Sequence, residues 1–109
     1  MAKISYEKAV AYLARVPQGK EFFCHGGSAF GALQDLARGL SQMSDEAFLY
    51  HADDHKNDFA YWVRDVIGDL TMANLLYRCH TRAEAQGMVQ ERVSTLRKVA
   101  GEQSKAVAG

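Results

Sequence analysis

Apolar residues recur at three- and four-residue spacing along most of the chain, and that period predicts helices. Ser5 is placed to cap a first helix, with Ala9, Val10, Leu13 and Val16 on one face and Pro17 and Gly19 ending it. After a short extended stretch, Ser28 is expected to cap a second helix in which Phe30, Leu33, Leu36, Ala37, Leu40 and Met43 recur in register. Ser44, with Asp45 and Glu46 in the first turn, starts a third helix carrying Phe48 and Leu49, which fails in the polar run Asp53 to Asn57. Asn57 or Asp58 caps a fourth, with Phe59, Trp62, Val63, Val66 and Ile67 on its face. Gly68 ends it, and Asp69 caps a fifth bearing Leu70, Ala73, Leu75 and Leu76. Thr81-Arg-Ala-Glu84 is a capping box, opening a last long helix with Val89, Val93, Leu96 and Ala100 in register.

The expected fold is all-α: a bundle of five to six helices forming one domain over 1–100, with a small, polar, flexible tail over 101–109. The exception is Lys20-Glu-Phe-Phe-Cys24, which reads as extended and is broken by Gly26 and Gly27. A strand without a partner would bury unpaired backbone groups. Either Phe22 and Phe23 anchor an irregular loop, or the strand pairs across a dimer.

Length and composition suit this picture. A chain of 109 residues has room for one domain and buries roughly 65% of the surface it exposes when unfolded. The 48% hydrophobic and 24% charged fractions are those of an ordinary globular protein. Thirteen basic residues balance thirteen acidic ones, giving a net charge of zero. That balance argues against nucleic acid or an anionic membrane as a partner, and leaves little charge repulsion to oppose self-association. The sequence has no apolar run long enough to span a bilayer, and its first residues lack the apolar segment of a secretory signal. The two cysteines, Cys24 and Cys79, are too few for a disulfide framework and read as reduced thiols in a cytoplasmic protein.

The segment Phe48-Leu-Tyr-His51, followed by Asn57-Asp58-Phe59, Trp62-Val63 and Gly68-Asp69, resembles a family of small prokaryotic helical domains of unknown function. The preceding Leu33-Gln-Asp-Leu-Ala37 is similar to that family's helix before this segment, and the resemblance covers residues 20 to 80. It implies a compact helical domain and no particular chemistry.

Candidate chemistry concentrates between His51 and Asp58, where His51, Asp53, Asp54, His55, Asn57 and Asp58 fall together. If the third helix ran one turn further, His51 and His55 would stand at i, i+4 and could hold a metal with Asp54 as carboxylate, with His80 or His25 as a remote ligand. A second reading is a ligand pocket lined by His51, Asn57, Asp58 and Trp62, with Asp69 nearby. The third is architectural: Asn57 and Asp58 cap the fourth helix, His51 pins the corner through a carbonyl or Asp58, and Trp62 anchors the core.

Elsewhere, Gly26-Gly27 before Ser28 invites a phosphate-loop reading, but no lysine closes the loop. Arg78, Arg82, Arg92, Arg97 and Lys98 read as a solvated face.

The class these features favour is a non-enzymatic binding or self-assembly module, a homo-oligomer whose last helix offers an apolar seam to a partner protein, with a small ligand as a further option. The alternative is a metal-dependent or acid/base enzyme using His51, Asp54, His55 and Asp58. The sequence leaves the cofactor unknown.

Overall fold

The first turn of α1 (Tyr6–Leu13) is closed by Ser5, whose hydroxyl accepts from the Lys8 amide. Ala9 and Leu13 face the core, while Val10 is exposed. The helix stops at Leu13, four residues before the proline expected to end it. The chain straightens there because Val16 N–H donates to the Gly31 carbonyl, an extended contact that a helix through Val16 would forfeit. The computed structural model describes residues 3–101; the expected tail, from 102 onward, lies outside the described residues.

The extended segment is not an irregular loop and finds its strand partner within the chain. Phe22–Phe23 (β1) pairs antiparallel with Ala29–Phe30 (β2) in the same chain, Phe22 opposite Phe30 and Phe23 opposite Ala29. The pairing continues in Cys24 N–H to the Ser28 carbonyl at 2.7 Å, and Gly27 N–H closes the turn on the Cys24 carbonyl. Gly26 and Gly27 adopt φ of 106° and 105°, which a turn this tight requires and which side chains disfavour. Ser28 therefore lies in a hairpin and caps no helix, and Phe30 is a strand residue whose ring stacks on Phe22 at 5.9 Å. The phosphate-loop reading of Gly26-Gly27 loses its helix for the same reason.

Helix α2 (Leu33–Gln42) begins after Ala32, which offers no side-chain cap. Asp35 in its first turn reaches back instead, accepting from Gly31 N–H at 2.9 Å. Leu33, Leu36 and Leu40 are fully buried, each stabilising the fold by about 1.5–3 kcal/mol. Gly39 lets Phe30 lie against this helix, since a Cβ there would run into the Phe30 ring.

Helix α3 (Asp45–His51) is capped by Ser44, and α4 (Asp58–Trp62) by Asn57. A π-helical turn, Val63–Ile67, follows α4 and ends at Gly68 with φ of 91°. Asp69 caps α5 (Leu70–Tyr77), and the Thr81/Glu84 capping box opens α6 (Arg82–Ala100).

Helix α6 packs chiefly against α2 and α1, and also against α5 and α3. Its seam of Val89, Val93 and Leu96 is buried within the chain, so the face expected to meet a partner is already used. The molecule is thus a mostly helical bundle with one short hairpin. Among the described residues no helix is long and apolar enough to cross a membrane.

Candidate functional site

The polar segment closes the corner between α3 and α4. Helix α3 ends at His51, so no helical face carries His51 and His55 together. The chain turns at Asp53, whose carboxylate accepts from the amides of His55 (2.7 Å) and Lys56 (3.0 Å). Those two bonds hold the Asp53 carboxyl below the usual carboxylate range. Asp53 N–H returns to the Lys56 carbonyl, and Ala52 bridges Asn57. A turn that reverses the chain this way cannot continue the helix. The premise of the i, i+4 metal pair fails, and Asp54 and His55 are both exposed. Among the described residues no group of three His, Cys, Asp or Glu side chains is gathered for a metal ion.

His51 is 6% exposed and sits among the rings of Phe22 (4.9 Å), Tyr50 (5.0 Å) and Phe59 (5.3 Å). Its Nε2 accepts from the backbone N–H of His25 at 2.8 Å. A backbone amide can only donate, so Nε2 carries the lone pair and the ring proton resides on Nδ1. Nδ1 then donates to Asp58 Oδ2 at 3.0 Å, which also receives Lys56 Nζ at 3.1 Å. The Asp58 bond pushes the Lys56 ammonium above its ordinary value. An Asp-oriented imidazole is the arrangement that acid/base chemistry uses. Here the nitrogen that would exchange protons with a substrate receives the hairpin's amide. The imidazole joins hairpin, α3 and α4 at one point.

The other residues singled out in this region serve the same corner or the core. Asn57 is 3% exposed; its Oδ1 accepts from Ala60 N–H (3.0 Å) and its Nδ2 donates to the Leu76 carbonyl (2.9 Å), tying the start of α4 to α5. Trp62 is buried, its edge against Phe22, and its Nε1 donates to the Lys20 carbonyl at 2.8 Å. That bond satisfies the indole's one polar group.

Asp69 stands apart from this corner. It is 1% exposed, caps Met72 N–H, and takes Arg92 Nε and Nη2 at 2.7 and 2.8 Å. His51, Asn57, Asp58 and Trp62 are therefore gathered around the α3–α4 corner, and Asp69 belongs to a separate bridge between α5 and α6.

Arg92, expected on a solvated face, is instead held on Asp69 with 15% of its side chain exposed. Arg82 likewise donates to the Leu40 carbonyl and to Asp45, joining the start of α6 to α2 and α3. The signal for Arg92 was its place beside the Val89–Val93 seam, where a cation needs a carboxylate.

Open space lies elsewhere. A groove of about 640 Å³ runs between the hairpin and the α2–α3 junction, past Cys24, Ser28, Arg38, Gln42 and Ser44. A cavity of about 590 Å³ lies between α1, α5 and α6. Neither includes any of the residues singled out from His51 to Asp69. Burial pushes the Cys24 and Cys79 thiols up, away from the thiolate form a nucleophile needs.

Compared with protein-family models, with curated proteins and with solved structures, the chain finds no match in any of the three. The resemblance read from Phe48 to Asp69 lends no residue a role.

Proposed function

We propose that this domain is a non-enzymatic binding and self-assembly module, working as a homo-oligomer through the outer face of α5. The observation that carries the reading is a pair of exposed apolar side chains on α5, with the polar Asn74 between them. Leu70 and Tyr77, 60% and 54% exposed, lie two turns apart on one face of α5. Tyr61 stands beside Tyr77, with ring centroids 6.1 Å apart, and the Arg64 guanidinium lies over Tyr61 at 5.2 Å. Aromatic residues with a flanking arginine are the composition favoured in protein contacts. A zero net charge adds little repulsion between copies. The same reading accommodates the small prokaryotic domains this chain resembles, for which no chemistry is implied.

Light scattering coupled to size-exclusion chromatography tests the proposal. The expected result is a dimer or larger species at micromolar concentration, converted to monomer by Leu70→Ser with Tyr77→Ser, while circular dichroism stays helical. A wild-type chain that remains monomeric at high micromolar concentration overturns it.

A further inference from the structure

The cavity between the start of α1, the first turn of α5 and the C-terminal half of α6 has a volume of about 590 Å³, within the range that small-molecule sites occupy. Among the described residues three cations line it, Lys3, Lys8 and Arg92, and no carboxylate does. In a chain whose charges balance overall, this is a local segregation of one sign. Among the described residues neither lysine ammonium pairs with a carboxylate, and both side chains are exposed.

Arg92 differs from the lysines. Its Nε and Nη2 are fixed on Asp69, so the guanidinium is held in one orientation at the cavity wall. Asp69 offsets the Arg92 charge, which leaves the two lysines as the positive charge without a carboxylate partner among the described residues. Tyr12, Thr71 and Thr95 bring hydroxyl groups to the same lining, and Ile4 and Val99 add apolar surface. Two exposed ammonium groups, one pinned guanidinium and several hydroxyls suit an anion with two charges and several acceptor oxygens. A carboxylate has charge for only one of the lysines.

We propose that this cavity binds a phosphate monoester with an apolar body, the phosphate against Lys3, Lys8 and Arg92 and the body against Ile4 and Val99. The site does not rest on self-association through Leu70 and Tyr77, so either proposal stands if the other fails.

The experiment is a ¹⁵N-NMR titration of the full chain at constant ionic strength with three probes: phenyl phosphate, inorganic phosphate and benzoate. Phenyl phosphate is expected to give saturable shifts confined to amides near Lys8, Thr71 and Thr95, with affinity about tenfold above that of benzoate. Inorganic phosphate is expected to shift the same amides at lower affinity, because it leaves the apolar wall uncovered. The double variant Lys3→Gln, Lys8→Gln replaces exposed side chains and keeps the amide spectrum of the fold, but loses about tenfold or more in phenyl phosphate affinity. Absence of saturable shifts, shifts elsewhere on the molecule, or unchanged affinity in the double variant overturns the site. Benzoate binding as tightly as phenyl phosphate overturns the choice of phosphate, and equal affinity for the two phosphates overturns the apolar body.

Discussion

A phenylalanine at position 51 would fill the space of the imidazole, among rings it could pack against, but would give the His25 amide nothing to donate to. His51→Phe is therefore expected to destabilise the fold by about 0.5–1.5 kcal/mol, the net worth of a part-buried hydrogen bond. Urea denaturation followed by circular dichroism measures it, and an unchanged midpoint would mean that the hairpin's amide needs no acceptor from α3. Half of this arrangement was legible in the sequence. Asn57 and Asp58 are short polar residues before an apolar helix, and His51 stands seven positions from Asp58, close enough to be read as pinning the corner. The other half was not, because His25 lies 26 positions away and its backbone amide leaves no mark in the residue type. Asp69 was legible as a cap and illegible as an ion-pair partner for the same reason.

Caps are the part of the element structure that the residues declare most openly. Ser5, Ser44, Asn57, Asp69 and Thr81 each close the helix they precede, since a short side-chain oxygen meeting a free amide is a local event. Glu84 completes the last of these by accepting from the amides of His80 (2.9 Å) and Thr81 (3.2 Å), and those bonds hold its carboxyl below the ordinary value of 4.5. A carboxyl depressed by folding binds its proton more readily in the unfolded chain. Its contribution is thus complete above pH 4.5 and lost as pH falls toward the folded value. The urea midpoint of the wild type is expected to fall more steeply below that pH than the midpoint of Glu84→Gln, and parallel profiles would remove Glu84 as the cause. Ser28 shows where the cap rule misleads. The same residue type serves a hairpin arm, and the choice between helix and strand for Ala29-Phe30 rests on Phe22-Phe23 across the turn. Two short apolar pairs flanking Gly26-Gly27 are a hairpin signal, but helical spacing from Phe30 into Leu33 competes with it.

At the scale of the whole molecule, the Asp69–Arg92 pair joins α5 to α6 where both side chains are largely withdrawn from water. Asp69→Asn keeps a helix cap but leaves the Arg92 guanidinium without its counter-charge, and is expected to cost about 3–5 kcal/mol in chemical denaturation. A loss no greater than that of an ordinary cap substitution would show that Arg92 finds solvent instead. The helix count and the single core were readable from periodicity. The partner of the last helix was not: an apolar seam looks the same whether it meets a second protein or its own N-terminal helix. That α6 meets α1 has a consequence for how the chain comes into being. Helix α1 is made well before α6, so its Ala9–Leu13 face lacks most of the surface it packs on until α6 follows. The hairpin and the α3–α4 corner can form their own turns meanwhile, but the core they border is finished from the far end. Folding of this domain is therefore tied to synthesis through α6, and a nascent chain stopped before Arg82 lacks the surface that α1 and α2 chiefly pack on.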